Sequence, residues 1–200
     1  MVIKDNHVIS KIIFPRAILG EKIKRGSKIL DVGCATGVFL KKCDKYGLKT
    51  YGLDYSKKLL TKAKKNTKAK LTLGSAEDLS LYKDNYFNLV TGFDVIEHLA
   101  GPYNFVKESY RVIKDGGKLI LSTPNLNSLG RFLVQKQWHG YSDKTHRYLF
   151  TRESLAFLLE SVGFKVVKNE APFHPLPKMI QRFANKLGLG GQIWIVAKKK

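Results

Sequence analysis

Ile29-Leu30-Asp31-Val32-Gly33-Cys34-Ala35-Thr36-Gly37-Val38-Phe39-Leu40 decides how this chain folds. An apolar strand ends in a carboxylate, a glycine turn follows, and a helix begins at once. Strand, tight turn and helix N-terminus together are how an open α/β sheet cradles a nucleotide-like ligand. Asp31 stands two residues before the first glycine, and the glycines are spaced G-x-x-x-G, so the dinucleotide fingerprint G-x-G-x-x-G is absent. A carboxylate at the strand end suits a ligand carrying positive charge and repels a pyrophosphate. Gly33 and Gly37 allow the backbone a close approach that a side chain would block.

Further segments follow in order. Asp54 closes the apolar Thr50-Tyr51-Gly52-Leu53, where a second strand's acid can reach a ribose diol. Gly74-Ser75-Ala76-Glu77-Asp78-Leu79 comes next, then Tyr86-Phe87-Asn88-Leu89-Val90-Thr91-Gly92-Phe93-Asp94-Val95-Ile96-Glu97-His98. Arg111-Val112-Ile113-Lys114-Asp115-Gly116-Gly117-Lys118-Leu119-Ile120-Leu121-Ser122-Thr123 completes the series. In this order and spacing, residues 26 to 170 resemble the class I S-adenosylmethionine-dependent methyltransferases, nearest to the small ubiquinone-biosynthesis-type O-methyltransferases. Four ordered motifs are far more specific than one glycine loop.

The resemblance implies a Rossmann-like seven-stranded α/β sheet, order 3-2-1-4-5-7-6, with the last strand antiparallel and helices on both faces. It implies S-adenosylmethionine as cofactor and S-adenosylhomocysteine as product. Asp31 would attract the donor's ammonium, and Gly33, Cys34, Ala35 and Gly37 would form the turn around it. Asp54, with Tyr55 beside it, would accept from the ribose hydroxyls. Ser75, Ala76 and Glu77 would face the adenine, and Phe93 would lie on the pocket wall. Relatives commonly carry glycine at the Ala35 position and aspartate at the Ser75 position, so here the adenine contact falls to Ser75 or Glu77.

The alternation of strand and helix patterns independently implies a parallel sheet with helices on both faces. Strands are expected near 28–32, 49–53, 70–73, 87–92, 117–123, 164–169 and 192–197, and helices near 37–46, 56–66, 102–114 and 151–162. Pro102 suits a first helical turn, and Phe105, Val106, Ser109, Tyr110 and Ile113 form its buried stripe. Gly116-Gly117 is expected to be a turn. Thr151 is an expected N-cap, with Glu153 favouring the helix dipole. The whole chain, 1–200, is expected to be one domain, with a helical lead-in over 1–25 and substrate-side elements at 124–150 and 172–190. Met179, Ile180, Phe183 and Leu187, with Lys178, Arg182 and Lys186, give the second of these a basic amphipathic pattern suited to covering a substrate mouth or touching a membrane surface.

The catalytic candidates follow strand four and strand five. His146, in Thr145-His146-Arg147-Tyr148-Leu149-Phe150, is the first choice for a general base, because imidazole accepts a proton near neutral pH. His98 is the second catalytic candidate. Asp94, Glu97 and His98 would fall on neighbouring turns of a helix. In some ubiquinone-type relatives two acids and a histidine hold a divalent metal here; elsewhere Glu-His braces the loop, and so loose a ligand set assigns no metal. Asn125, Trp138, His139 and Tyr141 belong to a long aromatic and histidine-bearing connection suited to substrate binding. His7 and His174 have no motif around them.

Composition bounds the rest. The 200 residues include 36 basic and 16 acidic side chains, a formal charge of +20. Residues 41–70 carry eleven lysines and two acids, whereas 71–130 carry five basic and seven acidic residues. Lysine far outnumbers arginine, which argues for a solvated face over a base-reading one. Two cysteines without metal-knuckle spacing fit a reducing cytosol, and no disulfide is expected. No apolar run spans a bilayer and no apolar signal segment opens the chain, so a cytoplasmic protein is expected. An Asn/Asp-Pro-Pro-Tyr segment and a Pro-Cys pair are both absent after strand four, which disfavours amide-type N-methylation and C5 methylation of pyrimidines. The expected acceptor is therefore an oxygen, or a nitrogen, of a small or lipid-like molecule. RNA on the lysine-rich face and a non-catalytic cofactor-binding scaffold are the alternatives.

Overall fold

The computed structural model describes residues 23–172 and 187–200. Most of the lead-in, most of the 172–190 element, His7 and His174 lie outside the described residues. Seven strands form one sheet in the order β3-β2-β1-β4-β5-β7-β6. They are β1 (Lys28–Val32), β2 (Lys49–Asp54), β3 (Lys70–Leu73), β4 (Phe87–Phe93), β5 (Ile113–Pro124), β6 (Phe164–Glu170) and β7 (Gln192–Lys199). β1 through β5 pair in parallel, and β7 runs antiparallel between β5 and β6. The expected sheet order is thereby met.

β1 is buried on both faces from Ile29 onward, as the apolar run of a central parallel strand requires. Leu30 and Val32 join Val90, Leu119, Leu121, Ile193 and Ile195 in the larger core on one face. Ile29, Leu89, Ile120 and Val196 point to the other face, against Phe39 and Cys43 of helix α1 (Val38–Lys45). The period-two alternation of strands thus gives one sheet two cores.

Local chemistry sets the helix ends. Ser56 caps α2 (Lys57–Asn66) through a hydrogen bond from the Leu59 amide at 3.3 Å. Pro102 opens α3 (Pro102–Val112), as expected. The Thr151 cap of α6 (Arg152–Val162) is a reciprocal box with Ser154, and Gly163, in a left-handed conformation, closes that helix. Cys34 and Cys43 are free and buried.

Two expectations are corrected. β5 begins at Ile113, so α3 ends two residues early and the apolar Ile113 side chain serves the sheet. Gly116-Gly117 is a register irregularity within β5, where pairing jumps from Phe87↔Ile113 to Leu89↔Lys118. The 124–150 connection contains α4 (Leu129–Val134), a single 3₁₀ turn at Gln135–Gln137, and α5 (His139–Ser142). Helices of six and four residues are too short to carry a readable hydrophobic period.

Candidate functional site

The turn after β1 is tied to β2. The amides of Gly33 and Cys34 donate to the Leu53 carbonyl at 2.7 and 3.0 Å, and the Ala35 amide donates to Asp54 Oδ2 at 2.8 Å. The other Asp54 oxygen accepts from the Ser56 amide at 2.8 Å. Asp54 therefore holds both the glycine turn and the start of α2, with lone pairs remaining for a ligand. Gly33 and Gly37 have φ of 72° and 74°. Ala35 shares that left-handed region at φ 47°, a conformation that glycine adopts at less cost. The Cys34 thiol is buried, and burial with two nearby carboxylates pushes its pKa up, so it is inert as a nucleophile.

Asp31 is 3% exposed and accepts from Thr91 Oγ1 at 2.7 Å. Thr91 is its cross-strand partner on β4, a supporting residue that the register would have revealed. Burial, opposed by the Thr91 hydrogen bond and reinforced by the Asp54 charge, raises Asp31 to about 7. A carboxylate this poorly solvated is poised for a cationic partner.

Ser75, Ala76 and Glu77 follow β3. The Glu77 carboxylate is spent on the amides of Ala100 and Gly101, both at 2.9 Å, so it anchors the entrance to α3. Ser75 is exposed, and its hydroxyl accepts from the Glu77 amide at 3.1 Å. Tyr55 is 85% exposed. Phe93 lies edge-on to Phe39 and tilted against Trp194, a β7 residue the sequence reading missed because it is remote in the chain.

Beyond β4 the backbone makes a 3₁₀ turn at Ile96–His98. Asp94 is not part of the ligand-spaced group that a helical reading suggests with Glu97 and His98, although its charge reaches both. It takes a left-handed φ of 54°, and its Oδ1 accepts from Ser122 and Gln192, which ties it to β5 and β7. Desolvation raises its pKa. His146 arrives instead. Its ring centroid lies 4.8 Å from that of His98, and one ligand atom from each of Glu97, His98 and His146 lies within 4.8 Å of the others. Among the described residues these three form the group that could hold a metal ion.

Hydrogen bonds set which tautomer each imidazole takes when neutral. His146 Nδ1 stands 3.0 Å from the Gly140 carbonyl oxygen, which can only accept, so Nδ1 carries the proton and Nε2 is the basic nitrogen. Asp143 Oδ2 lies 4.0 Å from that Nε2. His98 Nδ1 faces the Thr145 carbonyl at 3.2 Å and Thr145 Oγ1 at 3.0 Å. The Thr145 hydroxyl donates to Asp143 at 2.6 Å, so His98 also donates from Nδ1 and its neutral form leaves Nε2 as the acceptor. Glu97 is buried; Oε2 accepts from Thr123 at 3.0 Å, and Oε1 is buried without a partner. Burial and the Asp94 charge raise Glu97 to about 8.

The four expected substrate residues separate. Asn125 is fully buried, and both amide hydrogens are spent on the Gly188 and Gly190 carbonyls at 2.8 and 2.7 Å; it braces the segment before β7. Trp138 is buried in its own loop, edge-on to Tyr141 and packed so closely on Gly140 that a Cβ there would run into the indole. Both side chains are engaged within the protein itself. His139 and Tyr141 remain exposed.

Comparison with known proteins agrees with this architecture. A family described as methyltransferase domain matches residues 6–169. The ubiquinone biosynthesis O-methyltransferase of Aliivibrio fischeri is 31% identical over 107 residues, covering 51% of this chain and 46% of the relative. That of Coxiella burnetii is 34% identical over 107 residues, covering 52% and 46%. The chain spans about half the length of the curated relatives it matches. A solved S-adenosylmethionine-dependent methyltransferase from Archaeoglobus fulgidus is 25% identical, with a TM-score of 0.74, covering 94% of this chain and 91% of that one.

Proposed function

We propose that this chain, which belongs to the class I S-adenosylmethionine-dependent methyltransferases, transfers a methyl group to an oxygen of a small or lipid-like acceptor, with His146 as general base. The single observation that carries the base assignment is the fixed tautomer: Nδ1 donates to the Gly140 carbonyl, leaving Nε2 as acceptor. The names of the curated relatives support oxygen as the acceptor atom.

The family's cofactor supplies a methyl group made electrophilic by a sulfonium, and the residues at the carboxyl edge of β1 and β2 fit it. The buried Asp31 carboxylate, raised toward neutrality by desolvation, gains most from an ammonium partner. Asp54, already committed to two amides, offers its remaining lone pairs to a ribose diol. Gly33, Cys34, Ala35 and Gly37 let the backbone approach closely. The Ser75-Ala76 backbone edges the adenine side, with Tyr55 and Phe93 at the margins.

The acceptor's hydroxyl meets His146 Nε2, which takes its proton; Asp143, 4.0 Å away, stabilises the resulting imidazolium. His98, His139 and Tyr141 line the approach. Positioning in line with the donor supplies most of the rate, and the base supplies the rest. A second reading rests on the convergence of Glu97, His98 and His146, which would let a divalent cation orient the acceptor oxygen.

Incubation with radiolabelled donor and fractionated cell extract tests the reading. Label in a small-molecule or lipid fraction, lost in His146→Ala, is expected. Label in RNA refutes the acceptor class. Tight donor binding with no transfer into any fraction leaves a scaffold. Turnover restored by added Mg²⁺ or Mn²⁺ after chelation, and lost in Glu97→Gln, favours the metal reading.

A further inference from the structure

The lysines of 57–70 are left over by this function. This stretch carries seven lysines and no acid. Its helix, α2, turns Leu60 and Ala63 into the core and leaves Lys57, Lys58, Lys62, Lys64 and Lys65 exposed, as are Lys68 and Lys70 beyond it. None of the five helical lysines forms an ion pair among the described residues. The two neighbouring acids are committed elsewhere. Asp44 accepts from the hydroxyls of Thr50 and Thr67 and from the Lys68 amide, and Asp54 is buried at the glycine turn.

Helical spacing arranges these cations in rows. Lys58, Lys62 and Lys65 follow an i, i+4, i+7 line, and Lys57 and Lys64 lie two turns apart on a second; neighbours three or four apart on a helix lie about 5–6 Å apart. Ten residues of helix give a rigid row about 15 Å long. No large apolar side chain of 57–70 is exposed, so the face has nothing to insert into a bilayer. Regularly spaced ammonium groups on a rigid polar helix match a phosphodiester backbone, and the absence of arginine there points to binding without base readout.

We propose that the α2 face docks a nucleic-acid backbone without sequence preference, independently of the acceptor chemistry. One end of the row starts beside Asp54, because α2 begins at the residue after its cap Ser56.

The test is fluorescence anisotropy with a labelled mixed-sequence RNA oligonucleotide across a KCl series, using the full chain. With about five phosphates engaged, the slope of log affinity against log salt is about −3.5, a loss of roughly a hundredfold between about 50 and 200 mM. Lys58→Gln/Lys62→Gln/Lys65→Gln should flatten that slope by about 2 and weaken binding at least about tenfold at low salt. The arginine triple at the same positions should bind as the wild type does. A control triple at and just beyond the far strands β6 and β7, Lys165→Gln/Lys198→Gln/Lys200→Gln, has the same net charge and should keep the slope to within about one. Equal losses in both glutamine triples would show that net charge alone is at work and overturn the proposal. So would absence of RNA binding at about 50 mM salt, or binding to phosphatidylglycerol vesicles without binding to RNA.

Discussion

Replacing Asp31 with asparagine should make the ligand-free protein more stable and the donor-bound protein weaker. Asp31 is buried beside Thr91, and its pKa is raised from 3.8 to about 7. An acid raised in this way holds its proton more tightly in the folded than in the unfolded chain. Its stabilising contribution is complete below pH 3.8 and is lost as pH rises to about 7. Above that pH the fold carries an ionised carboxylate at a cost of about 4 kcal/mol as an upper bound. Asparagine keeps an oxygen for Thr91 and removes the charge. At pH 8, recovery of half that cost raises Tm by about 4–8 °C, readable by scanning calorimetry. Donor affinity moves the other way. Between pH 7.5 and 5.5 the wild type should lose about 25-fold in affinity as the carboxylate protonates, whereas the asparagine variant should be weak and flat across that range. Titration calorimetry at four pH values decides it. A variant that is less stable at pH 8 and binds the donor normally would refute the reasoning.

Asp54→Ala strands the amides of Ala35 and Ser56, and should cost about 2–5 kcal/mol in urea unfolding as well as weakening donor binding in calorimetry. In Gly33→Ala the new methyl would run into Val95 Cγ2 at a φ of 72°, so a loss of at least about 2 kcal/mol by chemical denaturation is expected. His146→Ala should fold normally and lower turnover by about 10²–10⁴, measured once an acceptor is in hand, with donor affinity unchanged. Thr151→Ala removes an oxygen that accepts from the Ser154 amide, and should lower Tm through a loss of about 1 kcal/mol.

The sheet was legible because its signals are local and redundant. The central strands β1, β2 and β4 are short, largely apolar runs bounded by turn residues, and Asp31 and Asp54 mark the ends of β1 and β2. Register carries the information that a linear reading lacks. Thr91 meets Asp31 only because β1 and β4 are adjacent, and Gln192 and Trp194 reach the site from the far end of the chain. The 124–150 connection is hard to read for a related reason. Asn125 and Trp138 look like ligand-seeking side chains, yet the first is spent on backbone carbonyls contributed by residues 188–190, and the second fills its own loop. His146 is a candidate by type and context, but its meeting with His98 and Glu97 depends on a loop folding back across 48 residues, where the Glu97 carbonyl accepts from the amides of Arg147 and Tyr148.

Titration calorimetry of the folded wild-type chain with S-adenosylhomocysteine, which retains the donor's ammonium, ribose and adenine, tests the central claim most directly. One ligand should bind per chain, with affinity lost in Asp31→Asn and Asp54→Ala. No heat of binding from protein with an intact melting transition would contradict the account.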